Sequence, residues 1–175
     1  MTPSRIALVT GGSRGLGRNM AHHLAAKGSD IILTYRSTKA EADAVVADLA
    51  LLGRKSLALQ LDVGDAGQFP TFVAAVRNAL LTYWDRRDFD HLINNAGVGI
   101  YGAFAETTEA QFDELMNVHF KGAYFLTQGL LPLIRDGGRI VNLSSGLARF
   151  SLPGYSAYAA MKGAVEVLTR YLATE

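Results

Sequence analysis

The sequence predicts an α/β fold built on a doubly wound parallel sheet, and three observations predict it. Short apolar, β-branched runs alternate with helix-like stretches five times along the chain. The first of these runs ends in a cluster of glycines that opens a helix. Connections are short, with no Pro/Ser-rich linker and no internal repeat, so residues 1–175 read as a single domain. Because each parallel crossover is right-handed and needs a covering helix, the expected strand order is 3-2-1-4-5 with helices on both faces.

Each element has its own local reason. "RIALVT" (5–10) is a buried parallel strand, and residues 16 to 27 follow with Leu16, Met20, Leu24 and Ala25 at helical spacing. "DIILTY" (30–35) is the second strand, and "KAEADAVVADLALLG" (39–53) is a helix stopped by Gly53. "KSLALQLDV" (55–63) is the third strand, followed by a helix over 66–84 with Pro70 near its start. "HLINNAG" (91–97) is the fourth. Thr108 then caps a long helix over 109–131, which Pro132 and Gly137-Gly138 are expected to close. "RIVNLSS" (139–145) is the fifth strand and residues 155 to 174 the last helix.

Composition narrows the class of function. Hydrophobic residues make up 49% and charged residues 19%, an ordinary globular balance that argues against disorder. The net charge of +1 comes from 17 basic and 16 acidic residues scattered along the chain, which leaves no footprint for nucleic acid or an anionic membrane. A small-molecule ligand is expected instead. Cysteine is absent, so disulfides and thiolate metal sites are excluded. No metal site is expected from histidine either: His22 and His23 are adjacent on a helix and face different ways, and His91 and His119 lack the H-E-x-x-H spacing. The first strand begins by Arg5, leaving no room for a signal peptide, and no apolar run approaches the roughly 20 residues of a membrane span. The expectation is a soluble, cytoplasmic protein.

The stretch "LVTGGSRGLGRNMAHHL" (8–24) carries two motifs at once. Gly11-Gly12-Ser13-Arg14-Gly15 matches G-x-S-x-G, which would make Ser13 a nucleophile. A serine hydrolase would need an acid and then a histidine downstream, and its elbow normally follows several earlier strands. Here the motif follows the very first strand. The dinucleotide reading fits that position: Gly11 permits the tight turn, Gly15 lets the backbone approach a pyrophosphate, and Gly17 lets helix and strand pack closely. The helix start, with Gly12, Arg14 and Leu16 completing the turn, directs unpaired N–H groups at the phosphates. Ser13 becomes a phosphate or ribose contact.

The spacing T-G-x-x-x-G-x-G, followed by "NNAG" at 94–97 and "YAAMK" at 158–162, resembles the short-chain dehydrogenase/reductase family over the whole chain. The resemblance implies a Rossmann fold and a nicotinamide-dependent oxidoreductase acting on a carbonyl or secondary alcohol. It also implies four catalytic residues, Asn117, Ser145, Tyr158 and Lys162. A second tyrosine–lysine pair, Tyr35 and Lys39, has the same spacing but the wrong order relative to the other motifs. Tyr155 is a rival to Tyr158, but its fourth successor is Ala159. Ser144 and Ser145 are strand neighbours pointing to opposite sides, and the family spacing of thirteen residues before the tyrosine selects Ser145. Asn117 sits in "MNVHFKG", where the family has its fourth residue.

A phenol ionises near pH 10 and must be tuned to act at neutral pH. Tyr158 and Lys162 lie one helical turn apart, so the ammonium can stabilise a developing phenolate. Tyr158 would then be general acid in reduction and base in oxidation, with Ser145 hydrogen-bonding the substrate oxygen. By resemblance, Lys162 also holds the nicotinamide ribose and Asn117 supports a water-linked proton path to Lys162.

The end of the second strand should select the cofactor. An acidic residue there would bind the ribose 2′-hydroxyl of NAD, whereas an arginine accommodates the 2′-phosphate of NADP. The sequence has Arg36 and Ser37 and no carboxylate, since Asp30 lies at the opposite end, and Arg14 adds a second cation. NADP(H) is therefore expected in preference to NAD(H). By family pattern, Asp62 and Val63 contact the adenine and Asn95 a ribose. The competing readings are a nucleotide-binding module without catalysis, and epimerase or dehydratase chemistry on nucleotide sugars, whose T-G-x-x-G-x-x-G spacing is absent here. The motifs are those shared by reductases of acyl-carrier-protein-linked 3-oxoacyl groups, sugars and steroids, and the NADP-preferring 3-oxoacyl reductases are the nearest resemblance. Family members continue beyond the helix in which this sequence ends, so a C-terminally incomplete member, lacking further strands and a substrate loop, is expected. "RIVNLSS" would then be an exposed sheet edge. A homodimer or homotetramer through the helices at 109–131 and 155–174 is also expected.

Overall fold

Five parallel strands in the order β3-β2-β1-β4-β5 form one sheet, as the alternating pattern requires. The computed structural model describes residues 4–175. In chain order the elements are β1 (Ile6–Val9), α1 (Gly15–Ala26), β2 (Asp30–Tyr35), α2 (Lys39–Leu51), β3 (Ser56–Gln60), α3 (Phe69–Trp84), β4 (Phe89–Asn94), α4 (Glu109–Met116), α5 (Gly122–Leu130), β5 (Ile134–Asn142) and α6 (Ser156–Leu172). A π-helical turn (Asn117–Lys121) joins α4 to α5, and short 3-10 turns precede α3, follow α5 and follow β5.

The period of two in the strands divides the core between the faces of the sheet. Ile6, Leu8, Ile32 and Leu92 pack with Phe72, Val76 and Leu80 of α3 and Leu126 and Leu130 of α5. Ala7, Val9, Ile31, Leu33 and Ile93 pack on the other face with Ala21 and Ala25 of α1 and Val45 and Leu49 of α2. Every residue of β1 is buried, as a central parallel strand covered on both sides must be. Each fully buried Leu or Ile contributes roughly 1.5–3 kcal/mol.

At the N-terminal ends of the strands an ion cluster fixes β1 against β4. The Asp90 carboxylate accepts the Ile6 N–H at 2.8 Å and the Arg86 guanidinium at 3.0 Å, with Arg135 at 3.3 Å. The opposite, C-terminal ends are left for the loops, which is where open α/β sheets bind ligands. No helix among the described residues is long and apolar enough to cross a membrane.

Three expectations need correction. The helix over 109–131 is not continuous: Thr108 caps it with a full capping box, but the π turn interrupts it and α5 ends at Leu130. A tight crossing follows the turn. Gly122 passes so close to the Val63 carbonyl that a side chain there would strike it, and the helix widens by one residue at this crossing. Gly137 and Gly138 do not close the helix but lie within β5, which starts at Ile134 and ends at Asn142. Gly137 has φ +78, and a Cβ at Gly138 would come 2.7 Å from the Asp90 carbonyl oxygen. The register between β4 and β5 shifts at this point. Finally, β4 spans Phe89–Asn94, so "NNAG" falls mostly in the loop beyond it.

Candidate active site

A cleft of about 710 Å³ opens along the C-terminal ends of the strands, from Arg36 at one end to Tyr155 at the other. The glycine turn forms one wall. Thr34 anchors it twice, its carbonyl accepting the Gly12 N–H at 2.9 Å and its hydroxyl the Gly11 N–H at 3.0 Å. Asn95 braces it from β4's exit, donating its amide to the carbonyls of Thr10 at 2.8 Å and Gly11 at 3.2 Å. The Thr10 hydroxyl accepts the N–H groups of Asn95 and Ala96 in return.

The three glycines each answer a different demand. Gly11 (φ +63) and Gly15 (φ +55) take left-handed backbone, and Gly15 has open space where a Cβ would stand. A Cβ at Gly17 would run into the Gly11 carbonyl oxygen, so only glycine lets α1 seat against the turn. The α1 N-terminus has no side-chain cap. Its unpaired N–H groups therefore face the cleft together with the positive end of the helix dipole. These residues fit a pyrophosphate. Ser13, Arg14 and Leu16 line the same wall, whereas the nucleophile reading of Ser13 gains nothing: His119, the only histidine lining the cleft, is hydrogen-bonded to Val98 instead.

The far ends of the cleft are defined by β2 and β3. Arg36 and Ser37 border it beyond β2, with Thr38 and Glu41 beside them, and Asp62 and Val63 border it beyond β3. Asp62 accepts the Gly64 N–H at 2.9 Å, which shapes the loop.

On the opposite wall, α6 contributes Tyr158 and Lys162, and the segment after β5 contributes Ser145. Lys162 is 6% exposed and its Nζ donates to the Leu143 carbonyl oxygen at 2.7 Å, 5.7 Å from the centre of the Tyr158 ring. Burial pulls the Lys162 ammonium below the usual lysine range. Ser144 and Ser145 lie past the end of β5 and both border the cleft, with their hydroxyls engaged differently. The Ser144 hydroxyl is committed to Glu166 at 2.7 Å, while Ser145 accepts the Leu147 N–H at 3.2 Å and borders the cleft.

Asn117 is half-buried in the π turn and does not line the cleft. This turn delivers Val118 and His119 there, the latter considered from the sequence only as a metal ligand. His119 is 4% exposed and meets the Tyr158 ring edge to face, with centroids 5.0 Å apart and planes at 84°. Burial, with the Lys162 charge adding to it, pushes His119 down to about 4. Leu147, Leu152 and Tyr155 form an apolar side of the cleft that the motifs did not mark. Tyr155 also packs edge to face on Tyr101 at 5.6 Å.

Comparison with known proteins agrees with this geometry. The family model for short chain dehydrogenases matches residues 5–175. A tetrahydroxynaphthalene reductase of Pestalotiopsis fici is 36% identical over 172 residues, which is 98% of this chain and 60% of that protein. Among solved structures, an angucycline C-6 ketoreductase with bound NADP is 34% identical with a TM-score of 0.92, covering 97% of this chain and 68% of that one. A short chain dehydrogenase from Burkholderia cenocepacia in complex with NADP is 36% identical with a TM-score of 0.90, covering 98% and 68%. The chain thus spans about 60% of the length of the first of these relatives. With the family match running through every element of the sheet and both walls of the cleft, this chain belongs to the short-chain dehydrogenase family.

Proposed function

We propose that the protein is an NADP(H)-dependent oxidoreductase that interconverts a carbonyl compound and its secondary alcohol. The observation that carries this reading is the shared cleft: an uncapped helix start and glycine turn on one wall, Tyr158, Lys162 and Ser145 on the other. The bound NADP of two structural neighbours supports the cofactor. Arg36, at the β2 end of the cleft, supports NADP(H) over NAD(H), offering a cation where a 2′-phosphate would lie.

When bound, the nicotinamide supplies or accepts the hydride. In reduction, Tyr158 gives its phenolic proton to the carbonyl oxygen, and in oxidation it takes the hydroxyl proton back. Lys162 sets its positive charge beside the ring and favours the phenolate while that proton is away. It has N–H groups left after its bond to Leu143, and these can hold a ribose hydroxyl. Ser145 donates its hydroxyl to the substrate oxygen and fixes the carbonyl against Tyr158. Leu147, Leu152 and Tyr155 favour substrates with an apolar body on the far side of that carbonyl.

The test is an NADPH-oxidation screen across carbonyl compounds with the full-length protein, followed by Tyr158→Phe. The ring packing survives that change and the exchangeable proton does not, so turnover should fall by about 10²–10⁴-fold while NADPH binding holds. A Phe variant that kept most of its turnover would show that the proton comes from elsewhere.

The same reading includes a homodimer or homotetramer formed by the outer faces of α4, α5 and α6. Phe112, Tyr124, Phe125, Val167 and Tyr171 are exposed there, more apolar surface than a solitary helix pair needs in water. Sedimentation of the full-length protein should give a dimer or larger, and Phe125→Glu should shift it towards monomer. A monomer at micromolar concentration in the unaltered protein would exclude this assembly.

A further inference from the structure

His119 has no part in the reading above, yet several features of the backbone converge on it. The π turn carries it into the cleft wall. Gly122, directly after that turn, passes the Val63 carbonyl where no side chain could. Gly97 leaves room for the imidazole, because a Cβ there would come 2.8 Å from His119 Cε1. The Val98 carbonyl is aimed at the ring, 2.7 Å from Nε2.

The contacts choose one form of the ring. Val98 N also lies 3.3 Å from Nε2, but one nitrogen cannot donate and accept together. The shorter distance to the carbonyl oxygen selects an Nε2–H that donates to Val98 O. Nδ1 is buried with no partner. In the neutral ring it is an acceptor, whereas protonation would leave a second buried N–H unpaired beside Lys162. The titratable groups packed against the ring are Tyr158 and Lys162, both from α6; the segment Gly97–Gly99 brings none.

We propose that His119, as its neutral Nε2–H tautomer, is a positioning residue for Tyr158, tying the Val98 backbone at the cleft wall to the phenol ring. Tyr158 then meets both the imidazole, with ring centroids 5.0 Å apart, and the Lys162 ammonium, 5.7 Å from its ring centre. A ring so confined keeps its hydroxyl at one place in the cleft, which is what proton transfer to a bound carbonyl requires. The neutral form matters as well, because a cation at this position would compete with Lys162 and drive the ammonium's charge off.

The inference rests on Tyr158 and Lys162 being the proton-transfer pair, and two measurements on the full-length protein separate the claims. Nitrogen-15 NMR of the imidazole at pH 6–8 should report Nε2 protonated and Nδ1 bare; an Nδ1–H tautomer or an imidazolium overturns the proposal without reference to turnover. With NADPH and a carbonyl compound from the screen, His119→Phe keeps an aromatic edge but loses the donor, and kcat should fall about tenfold or more while KM for NADPH stays within about threefold. His119→Gln carries an amide N–H towards the place of Nε2 and should exceed the Phe variant by about threefold or more. A Phe variant within twofold of the unaltered protein, or a Gln variant no faster than Phe, overturns it. If the Phe variant does not fold, the tautomer and the Gln variant, which should then turn over within about fivefold of the unaltered protein, still decide. Absence of turnover with every carbonyl compound, alongside the expected tautomer, would count against the oxidoreductase reading and not against the placement of His119.

Discussion

The Lys162 ammonium donates to the Leu143 carbonyl oxygen at 2.7 Å while standing 5.7 Å from the centre of the Tyr158 ring. One buried cation thus ties α6 to the end of β5 and supplies the charge beside the phenol. Lys162→Met keeps the length and apolar stem but removes both. Turnover should fall by about 10²–10⁴-fold. The orphaned Leu143 carbonyl should cost about 1–3 kcal/mol of stability. Steady-state kinetics and a urea melt on the same preparation check the two halves, and retention of both stability and turnover would contradict the assignment.

Cofactor preference is the second prediction. Arg36 is exposed at the β2 end of the cleft, free to pair with a phosphate, and Glu41 lies nearby on α2. Arg36→Asp replaces a cation by the group that accepts from a ribose 2′-hydroxyl. The ratio of kcat/KM for NADPH over NADH should drop by about 10²-fold or more, worth about 2.7 kcal/mol. Equal use of NADH by the unaltered protein would remove the basis of the claim.

The third prediction concerns acid. Burial and the Lys162 charge push His119 down to about 4, whereas an unfolded histidine titrates near 6.5. Between those values the unfolded chain binds the extra proton, so stability from this group is complete above pH 6.5 and is lost as pH falls towards 4. The loss should run at up to about 1.4 kcal/mol per pH unit in that window. Urea midpoints measured at pH 7 and pH 5 should converge for His119→Gln relative to the unaltered protein. Parallel pH dependence in the two would show that His119 is not a buried neutral group.

Much of this architecture was legible because strands and glycine turns carry local signals. The alternation of apolar runs implied the sheet order, and Gly11, Gly15 and Gly17 marked the turn between β1 and α1, where two take left-handed backbone and Gly17 packs against the Gly11 carbonyl. What escaped was tertiary. The π turn is followed by Gly122, packed where a Cβ would strike the carbonyl of Val63, a residue nearly sixty positions earlier, and helical periodicity in "MNVHFKGAYF" hides this. His119 escaped notice because a lone histidine was weighed only against metal-ligand spacing. β5 was placed late because "RDGG" reads as a turn, when Gly138 is there to pass the Asp90 carbonyl within the strand pair. The bracing of Thr10 and Gly11 by the Asn95 amide N–H groups was likewise invisible in the sequence, because it joins residues more than eighty positions apart.

Gly17 offers the most direct trial of the phosphate wall. A methyl group there would meet the Gly11 carbonyl oxygen and the Asn95 amide, one a backbone atom and the other a side chain held by two hydrogen bonds, so neither can yield cheaply. Gly17→Ala should therefore push α1 away from the turn. Overpacking of this kind costs about 1–3 kcal/mol. It also displaces the helix N-terminus from the phosphates, so NADPH should bind about tenfold more weakly or worse. Gly163 gives the matching control, because it lies inside α6 with nothing within 4 Å of an added Cβ and no positive φ. Gly163→Ala should stabilise the fold by about 0.5–1 kcal/mol through helix propensity and leave NADPH binding unchanged. Calorimetric titration with NADPH and thermal melts of the two variants check this. Equal NADPH affinity in Gly17→Ala and the unaltered protein would mean that the turn does not carry the cofactor.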